Sequence, residues 1–188
     1  CIPNFIYPIN SLYNTESKNI LAIGRLEYQK NFSLLINAFT LSNIHKNGWT
    51  LTIIGEGSEH TILNEIIKDN SMESFISIKK YTKDIDKYYK KAGLFSMTSR
   101  FEAFPMVLLE AMNYSLPVLL TDFQTGSREI LGNDDEQIVP NYDEEAYAEC
   151  LKKLCASPTL RLKLSVQNSK KIQTYYVNRI IKKWNQVI

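Results

Sequence analysis

Two cations and two carboxylates, set among glycines and a proline, are the groups of this chain best placed to do chemistry. In Gly24-Arg25-Leu26-Glu27-Tyr28-Gln29-Lys30-Asn31 a glycine is followed by two cations five residues apart. Glycine lets a backbone pass close to a ligand. Arg25 and Lys30 donate charge-assisted hydrogen bonds, which suits the oxygens of a diphosphate. An ordinary strand-end loop with solvated charges would carry the same residues. The run Arg100-Phe101-Glu102-Ala103-Phe104-Pro105-Met106-Val107-Leu108-Leu109-Glu110-Ala111-Met112 is more informative. Pro105 suits a helix start, which leaves the amides of Met106 and Val107 facing a cleft where the helix dipole favours an anion. Glu102 precedes that end and Glu110 lies on the helix. Eight helical residues rise about 12 Å, beyond the roughly 5 to 9.5 Å of a hydrolytic carboxylate pair. Two separated acceptors fit two hydroxyl-bearing parts of one extended ligand. A helix cap plus a surface glutamate is the plainer alternative.

Other motifs are weaker. Gly55-Glu56-Gly57-Ser58-Glu59-His60 begins like a dinucleotide fingerprint, but His60 stands where the third glycine belongs. It reads as a tight turn into a helix, with amides that could still face a ligand. Asp84-Ile85-Asp86 spells a metal clamp yet opens a helix, where acidic residues suit the dipole; no metal is expected. His45 and His60 have no second ligand nearby. Cys1, Cys150 and Cys155 lack zinc or disulfide spacing and read as reduced thiols of a reducing cytosol. Lys79, Lys80, Lys83, Lys87, Lys90 and Lys91, interleaved with Tyr81, Tyr88 and Tyr89, form either a solvated face or a peripheral contact for an anionic membrane.

These groups must be positioned by alternating strands and helices. Apolar runs at 19–24, 50–55, 75–78, 94–97, 117–121 and 138–139 read as buried strands. Helical periodicity marks 31–42, a stretch after Ser58 (its candidate cap), 83–91, 106–113, 144–156, 159–174 and 177–187. Unbroken apolar strands alternating with helices predict a parallel, doubly wound, Rossmann-like sheet in a single α/β domain. Ligands of such sheets bind at the carboxyl ends of the strands, so the loops carrying Gly24-Arg25, Gly55-Glu56-Gly57 and 100–105 should converge.

Composition narrows the rest. The 188 residues carry 22 Lys+Arg against 20 Asp+Glu, a net charge of +2. No broad cationic field exists for nucleic acid. No apolar run approaches the roughly 18 residues of a membrane-spanning helix, and no signal-peptide pattern opens the chain. The start at Cys1 suggests a piece of a longer or processed protein.

FEAFPMVLLEAM resembles the E-x7-E signature of the family-4 retaining glycosyltransferases, which have two Rossmann-like domains (the GT-B type). AIGRLEYQKNFSLLINAF resembles that family's GR-L-x-x-K-N/G-F segment, and LTIIGEGSE its strand-plus-GxG segment. SLPVLLTD and the run from Gly126 to Ile130 follow in family order. CIPNFI resembles the linker into the nucleotide-binding domain, and YYVNRIIKKWNQVI the closing helix. The resemblance covers the chain end to end.

It implies that residues 1–188 are the C-terminal, donor-binding half of a GT-B fold, with a helical segment from about 157. The activity implied is transfer of a hexose or N-acetylhexosamine from a nucleoside diphosphate sugar, UDP first, with retained configuration, in cell-surface polysaccharide or glycolipid synthesis. Glu102, Arg25 and Lys30 would be the catalytic groups. Arg25 and Lys30 would hold the diphosphate and Glu102 the sugar hydroxyls. Phe104, Met106 and Val107 would present backbone, Glu110 would bind ribose, and Lys80 and Tyr81 would lie at the base. Gly24, Gly55 and Ala103 complete the donor set. Ala103 and Lys80 replace commoner glycines, and so does Ser115. No cofactor is implied, since the donor is a substrate. A saccharide or lipid-linked acceptor would be held by an N-terminal domain outside this chain. The expected place is the cytoplasm, at the inner face of the plasma membrane if the lysine face touches lipid. The alternative is a non-catalytic nucleotide-sugar-binding module.

Overall fold

The computed structural model describes residues 4–123, 126–132 and 136–185. Strands β1 (Asn19–Ile23), β2 (Thr50–Ile54), β3 (Ile76–Lys79), β4 (Leu94–Met97), β5 (Val118–Thr121) and β6 (Ile138–Val139) form one parallel sheet in the order β3-β2-β1-β4-β5-β6. Helices α1 (Phe32–Ser42), α2 (His60–Asp69), α3 (Asp86–Lys91), α4 (Met106–Asn113), α5 (Ser127–Leu131), α6 (Glu144–Ala156), α7 (Pro158–Lys171) and α8 (Val177–Trp184) connect and cover it.

The strands are apolar on both faces because both faces are buried. Ile20, Ala22, Leu51 and Ile53 pack against Leu35, Phe39, Leu63, Tyr147 and Leu151 from α1, α2 and α6. Leu21, Ile54, Phe95 and Met97 face the other way, onto Tyr89, Leu108, Leu109 and Met112 from α3 and α4. The chain therefore leaves β1 towards one face and β4 towards the other, although the two strands are neighbours. That reversal opens a crevice beyond their carboxyl ends.

Several expected boundaries move for local reasons. The carbonyl of Met72 accepts from the amides of both Phe75 and Ile76, so a turn takes Phe75 and β3 starts one residue later. Residues 83–85 form a turn before α3, where the amide of Asp84 donates to Thr82 Oγ1. The helix expected at 159–174 ends as α7 at Lys171 and tightens into a 3-10 turn at Ile172–Tyr175. Ser58 does not cap α2: its amide and hydroxyl donate to the Glu27 carboxylate at 3.0 and 2.7 Å. Those two bonds hold the Glu27 carboxyl below its ordinary range. Cys1 and the expected helix end at Val187 lie outside the described residues. Burial pushes the thiols of Cys150 and Cys155 up, consistent with inert, packed cysteines.

The entering segment is tied down over its length. Ile6 pairs with the closing segment, its amide donating to the Tyr175 carbonyl and its carbonyl accepting from Val177. Buried Asn113, at the end of α4, donates to the Tyr7 carbonyl at 2.8 Å and accepts from the Ile9 amide at 3.3 Å. Ser115 occupies the left-handed region at φ 61°, which explains why glycine is easy there; its hydroxyl donates to the Ser11 carbonyl. Buried Arg161 stacks on Trp49 and donates to Tyr13 Oη and to the carbonyls of Thr15, Leu154 and Cys155. In the closing helix, Ile180 is fully buried and Tyr176 packs on this domain's second core, whereas Ile181 and Trp184 are half exposed.

Candidate functional site

The β1 and β4 loops meet at the crevice through an ion pair. Lys30 Nζ lies 2.5 Å from Glu102 Oε1, with side-chain exposures of 13% and 8%. The Ser99 hydroxyl donates to the same oxygen at 2.7 Å, and Gln29 Nε2 reaches Oε2 at 3.3 Å and the Phe101 carbonyl at 2.9 Å. Lys30 reaches across because its stem lies over Gly24, where an added Cβ would stand 3.0 Å from Lys30 Cε. Thr98 Oγ1 donates to the carbonyls of Lys30 and Asn31, joining the loops through backbone as well. Asn31 sits at φ 50° and ψ 45°, a conformation open chiefly to glycine and asparagine. That accounts for N or G in the motif.

Arg25 is exposed at the rim, with Nη2 3.3 Å from Gln29 Oε1. Gln29 therefore links Arg25 to Glu102, a role its sequence position does not signal. Arg100 stacks on Tyr28 and Tyr142 at 4.1 and 5.0 Å and donates to the Tyr28 carbonyl and Asn31 Oδ1. It braces the β1 loop. Gln29 and Arg100 were not singled out by spacing because each acts on a loop distant in sequence; Ser99 acts within its own loop, on Glu102 three residues on, and carries no motif that marks it.

Beyond Glu102 the chain enters α4 through Pro105 at φ −83° and ψ 80°, with the Met106 amide donating to the Phe104 carbonyl at 3.0 Å. This is an inverse γ-turn, so Pro105 precedes the helix instead of opening it. Met106's amide is thereby engaged, against expectation. The Val107 amide has no acceptor among the described residues, and the helix dipole adds partial positive charge there. Phe104 packs near Tyr175 and Ala103 is exposed.

Along α4, Glu110 lines a cavity of about 460 Å³ with Met106, Val107, Tyr81, Ile85 and Tyr114 among its walls. Tyr89 donates to Glu110 Oε2 at 2.8 Å and its ring stacks on Tyr114 at 4.9 Å. Burial raises the Glu110 carboxyl above its ordinary value; the Tyr89 hydrogen bond opposes this and nearby Asp86 adds to it. Lys80 is exposed and outside the walls of this cavity, whereas Tyr81 is part of them.

Gly55 has a different role from the one expected. It is buried, its amide donates to the Lys79 carbonyl, and an added Cβ would lie 1.8 Å from the Gly24 carbonyl oxygen. Gly55 permits the β1 and β2 ends to pack; it does not offer an amide to a ligand. The loop after it is locked in the same way, with Leu26 and Glu56, then Glu59 and Leu26, bonded through backbone. Asp84 pairs with Lys87, and no cluster of three or more metal-ligating side chains occurs among the described residues.

A model of the family described as glycosyl transferases group 1 matches residues 7–172. The chain belongs to this family. Over 185 residues this group 1 glycosyltransferase chain is 37% identical to the amylovoran biosynthesis glycosyltransferase AmsD of Erwinia amylovora, covering 98% of itself and 52% of that protein. It is 34% identical over 130 residues to the N-acetylgalactosamine-N,N'-diacetylbacillosaminyl-diphospho-undecaprenol 4-alpha-N-acetylgalactosaminyltransferase of Campylobacter jejuni, covering 69% of this chain and 35% of the other. A crystal structure of an S. aureus TarM mutant with fondaparinux, alpha-GlcNAc-glycerol and UDP matches with TM-score 0.90 and 25% identity, over 98% of this chain and 38% of that one. The fold is that of a GT-B Rossmann-like domain. The chain spans about half the length of the first curated relatives it matches, 52% and 53%.

Proposed function

We propose that this group 1 glycosyltransferase chain is the donor-binding domain of a family-4, retaining enzyme that transfers a hexose or N-acetylhexosamine from a UDP-sugar. The Lys30–Glu102 pair at the β1/β4 crevice carries this reading. A diphosphate arriving beside it finds Lys30, rim-placed Arg25 and the Val107 amide at the amino end of α4. Those fixed positive groups oppose the charge that develops on the leaving diphosphate. Glu102 then accepts from donor-sugar hydroxyls, and Glu110 from ribose. UDP is present with TarM and with the pneumococcal O-GlcNAc transferase GtfA, whose 21% identity to this chain bears on fold alone. The names of the AmsD and Campylobacter relatives favour a role in cell-surface polysaccharide or glycolipid synthesis.

Calorimetry with UDP, GDP and their sugars, with and without a chelator, tests the donor site. Binding that survives the chelator is expected; binding abolished by it, or no nucleotide binding at all, would overturn the reading. A saccharide or lipid-linked acceptor requires a further, amino-terminal domain. Orienting an acceptor supplies roughly 7–11 kcal/mol of a bimolecular barrier, so the 188-residue chain is expected to transfer sugar negligibly by itself. Joined to that domain, it should turn over, and Glu102→Ala should reduce the rate sharply. Nucleotide binding without transfer in the joined protein would favour the non-catalytic module.

A separate hollow of about 710 Å³ beside α3 is lined by Lys79, Lys87, Lys90 and Lys91 together with Glu16 and Asp84. We propose a cytoplasmic location, with the lysines beside α3 as the face that would meet an anionic inner leaflet if the protein touches the membrane. Co-sedimentation with phosphatidylglycerol vesicles, lost in high salt and absent with phosphatidylcholine, is the expected result.

A further inference from the structure

The cavity beside Glu110 has a wall that the motifs do not supply. Besides α4 and the β3–α3 loop, it is lined by Ile6, Tyr7 and Ile9 of the segment entering the domain. Its volume, about 460 Å³, falls within the roughly 300–1,000 Å³ of small-molecule pockets. Glu110 and Asp86 supply carboxylates, and the other lining groups are largely apolar or aromatic. That combination suits a flat base joined to a ribose diol.

Two of the lining tyrosines are largely solvent-exposed, Tyr7 at 68% and Tyr81 at 65%. Other exposed tyrosines of the chain are occupied, since Tyr28 and Tyr142 both stack on Arg100. Tyr7 is exposed on a backbone held from both sides. Its carbonyl accepts from Asn113, Ile6 before it pairs with the closing segment, and Ile9 beyond it donates to the same Asn113. Phe5 braces its ring edge-on, at 5.8 Å and 88°. An aromatic ring held in place beside a cavity can stack on a base with little loss of conformational freedom.

We infer that the nucleoside of the donor is held between Tyr81 and Tyr7, so that nucleotide recognition extends onto the segment that enters the domain. This rests on the donor-binding reading above. Asn113 is the positioning residue: from the end of the helix that carries Glu110, it sets where Tyr7 stands.

The test is a UDP titration of the chain and its Tyr7→Ala and Tyr7→Trp variants, with melting temperatures recorded without nucleotide. Tyr7→Ala should weaken UDP about tenfold, leave the melting temperature essentially unchanged, and be largely restored by Tyr7→Trp. An unchanged affinity in Tyr7→Ala would overturn the inference while leaving the donor site intact. A loss that Tyr7→Trp does not restore, or one that follows a fall in melting temperature, would overturn it too. Failure of the parent chain to bind UDP or GDP would instead remove the donor-binding reading itself.

Discussion

Lys30 and Glu102 are 72 residues apart in the chain, and their charged ends are 2.5 Å apart in space. The cation suited to a diphosphate and the carboxylate suited to a sugar thus hold each other. On the proposed reading a donor entering the crevice would share Lys30 with Glu102; Ser99 and Gln29 keep the carboxylate in place. The pair makes the site compact before any ligand contact and gives it a measurable energetic signature.

That signature is coupling. Breaking a largely buried pair from one side leaves an uncompensated charge, so Lys30→Met should cost about 3 kcal/mol of stability. Glu102→Gln should also cost, and the double variant should lose clearly less than the two singles combined. Urea unfolding of the four proteins measures this. Additivity within about 0.5 kcal/mol would mean the two residues do not interact energetically.

Nucleotide binding should depend on one lysine far more than on the lysine-rich face. Lys30→Ala removes a charged hydrogen bond worth about 1.5–3 kcal/mol, which weakens UDP roughly 10- to 150-fold. Lys87, paired with Asp84 at the surface, and exposed Lys90 contribute only screened attraction. Calorimetry on Lys30→Ala, Lys87→Ala and Lys90→Ala separates the cases. Equal losses would assign binding to a diffuse basic face.

Glu110 makes stability depend on pH in a defined direction. Burial holds its carboxyl above 4.5, so the folded protein favours the protonated form more than the unfolded chain does. The stability this contributes is complete below 4.5 and is lost as pH rises through the folded value. Glu110→Gln has no charge to bury and keeps an acceptor for Tyr89. Its stability relative to the parent should therefore increase as pH rises above 4.5. Unfolding midpoints from acid to neutral pH check this, and a relative stability that falls over that range would contradict it.

Two glycines should fail in different ways. A Cβ at position 55 meets backbone oxygen at 1.8 Å, so Gly55→Ala should lose about 3 kcal/mol or more, or not fold. The nearest atoms to a Cβ at position 24 belong to the flexible stem of Lys30, the closest at 3.0 Å. Gly24→Ala should cost about 1 kcal/mol or less in stability, yet weaken UDP by displacing Lys30. Thermal melts and UDP titrations on both variants give the comparison.

Much of this was legible in advance because it depends on local pattern. Runs such as Ile20-Leu21-Ala22 and Leu119-Leu120 are apolar on both faces, and only a sheet covered on both sides gives such runs a place. Strand 94–97, helix 106–113 and helix 144–156 were therefore bounded as the structure has them. The spacing of Gly24, Arg25 and Lys30, and of Glu102 and Glu110, marked both loops as candidates, and the resemblance of several whole segments in order, not that spacing, pointed to the family.

What spacing could not decide is which loop atoms meet. Ser58 has the chemistry of a helix cap, but the β1 loop brings Glu27 within reach and takes both its donors. Met106 has a helix-end amide, but the turn at Pro105 returns it to Phe104. Gly55 resembles a ligand-facing glycine, but the neighbouring strand end lies where a Cβ would go. Tyr7 carries no motif, and it stands beside the Glu110 cavity with its carbonyl held by Asn113, 106 residues away. Periodicity and residue type encode locally the layers, the succession of strands and helices along the chain, and the candidates Arg25, Lys30, Glu102 and Glu110. The tertiary structure alone decided their partners, because hydrogen bonds and ion pairs depend on ångström-scale distances between segments that the chain order does not relate.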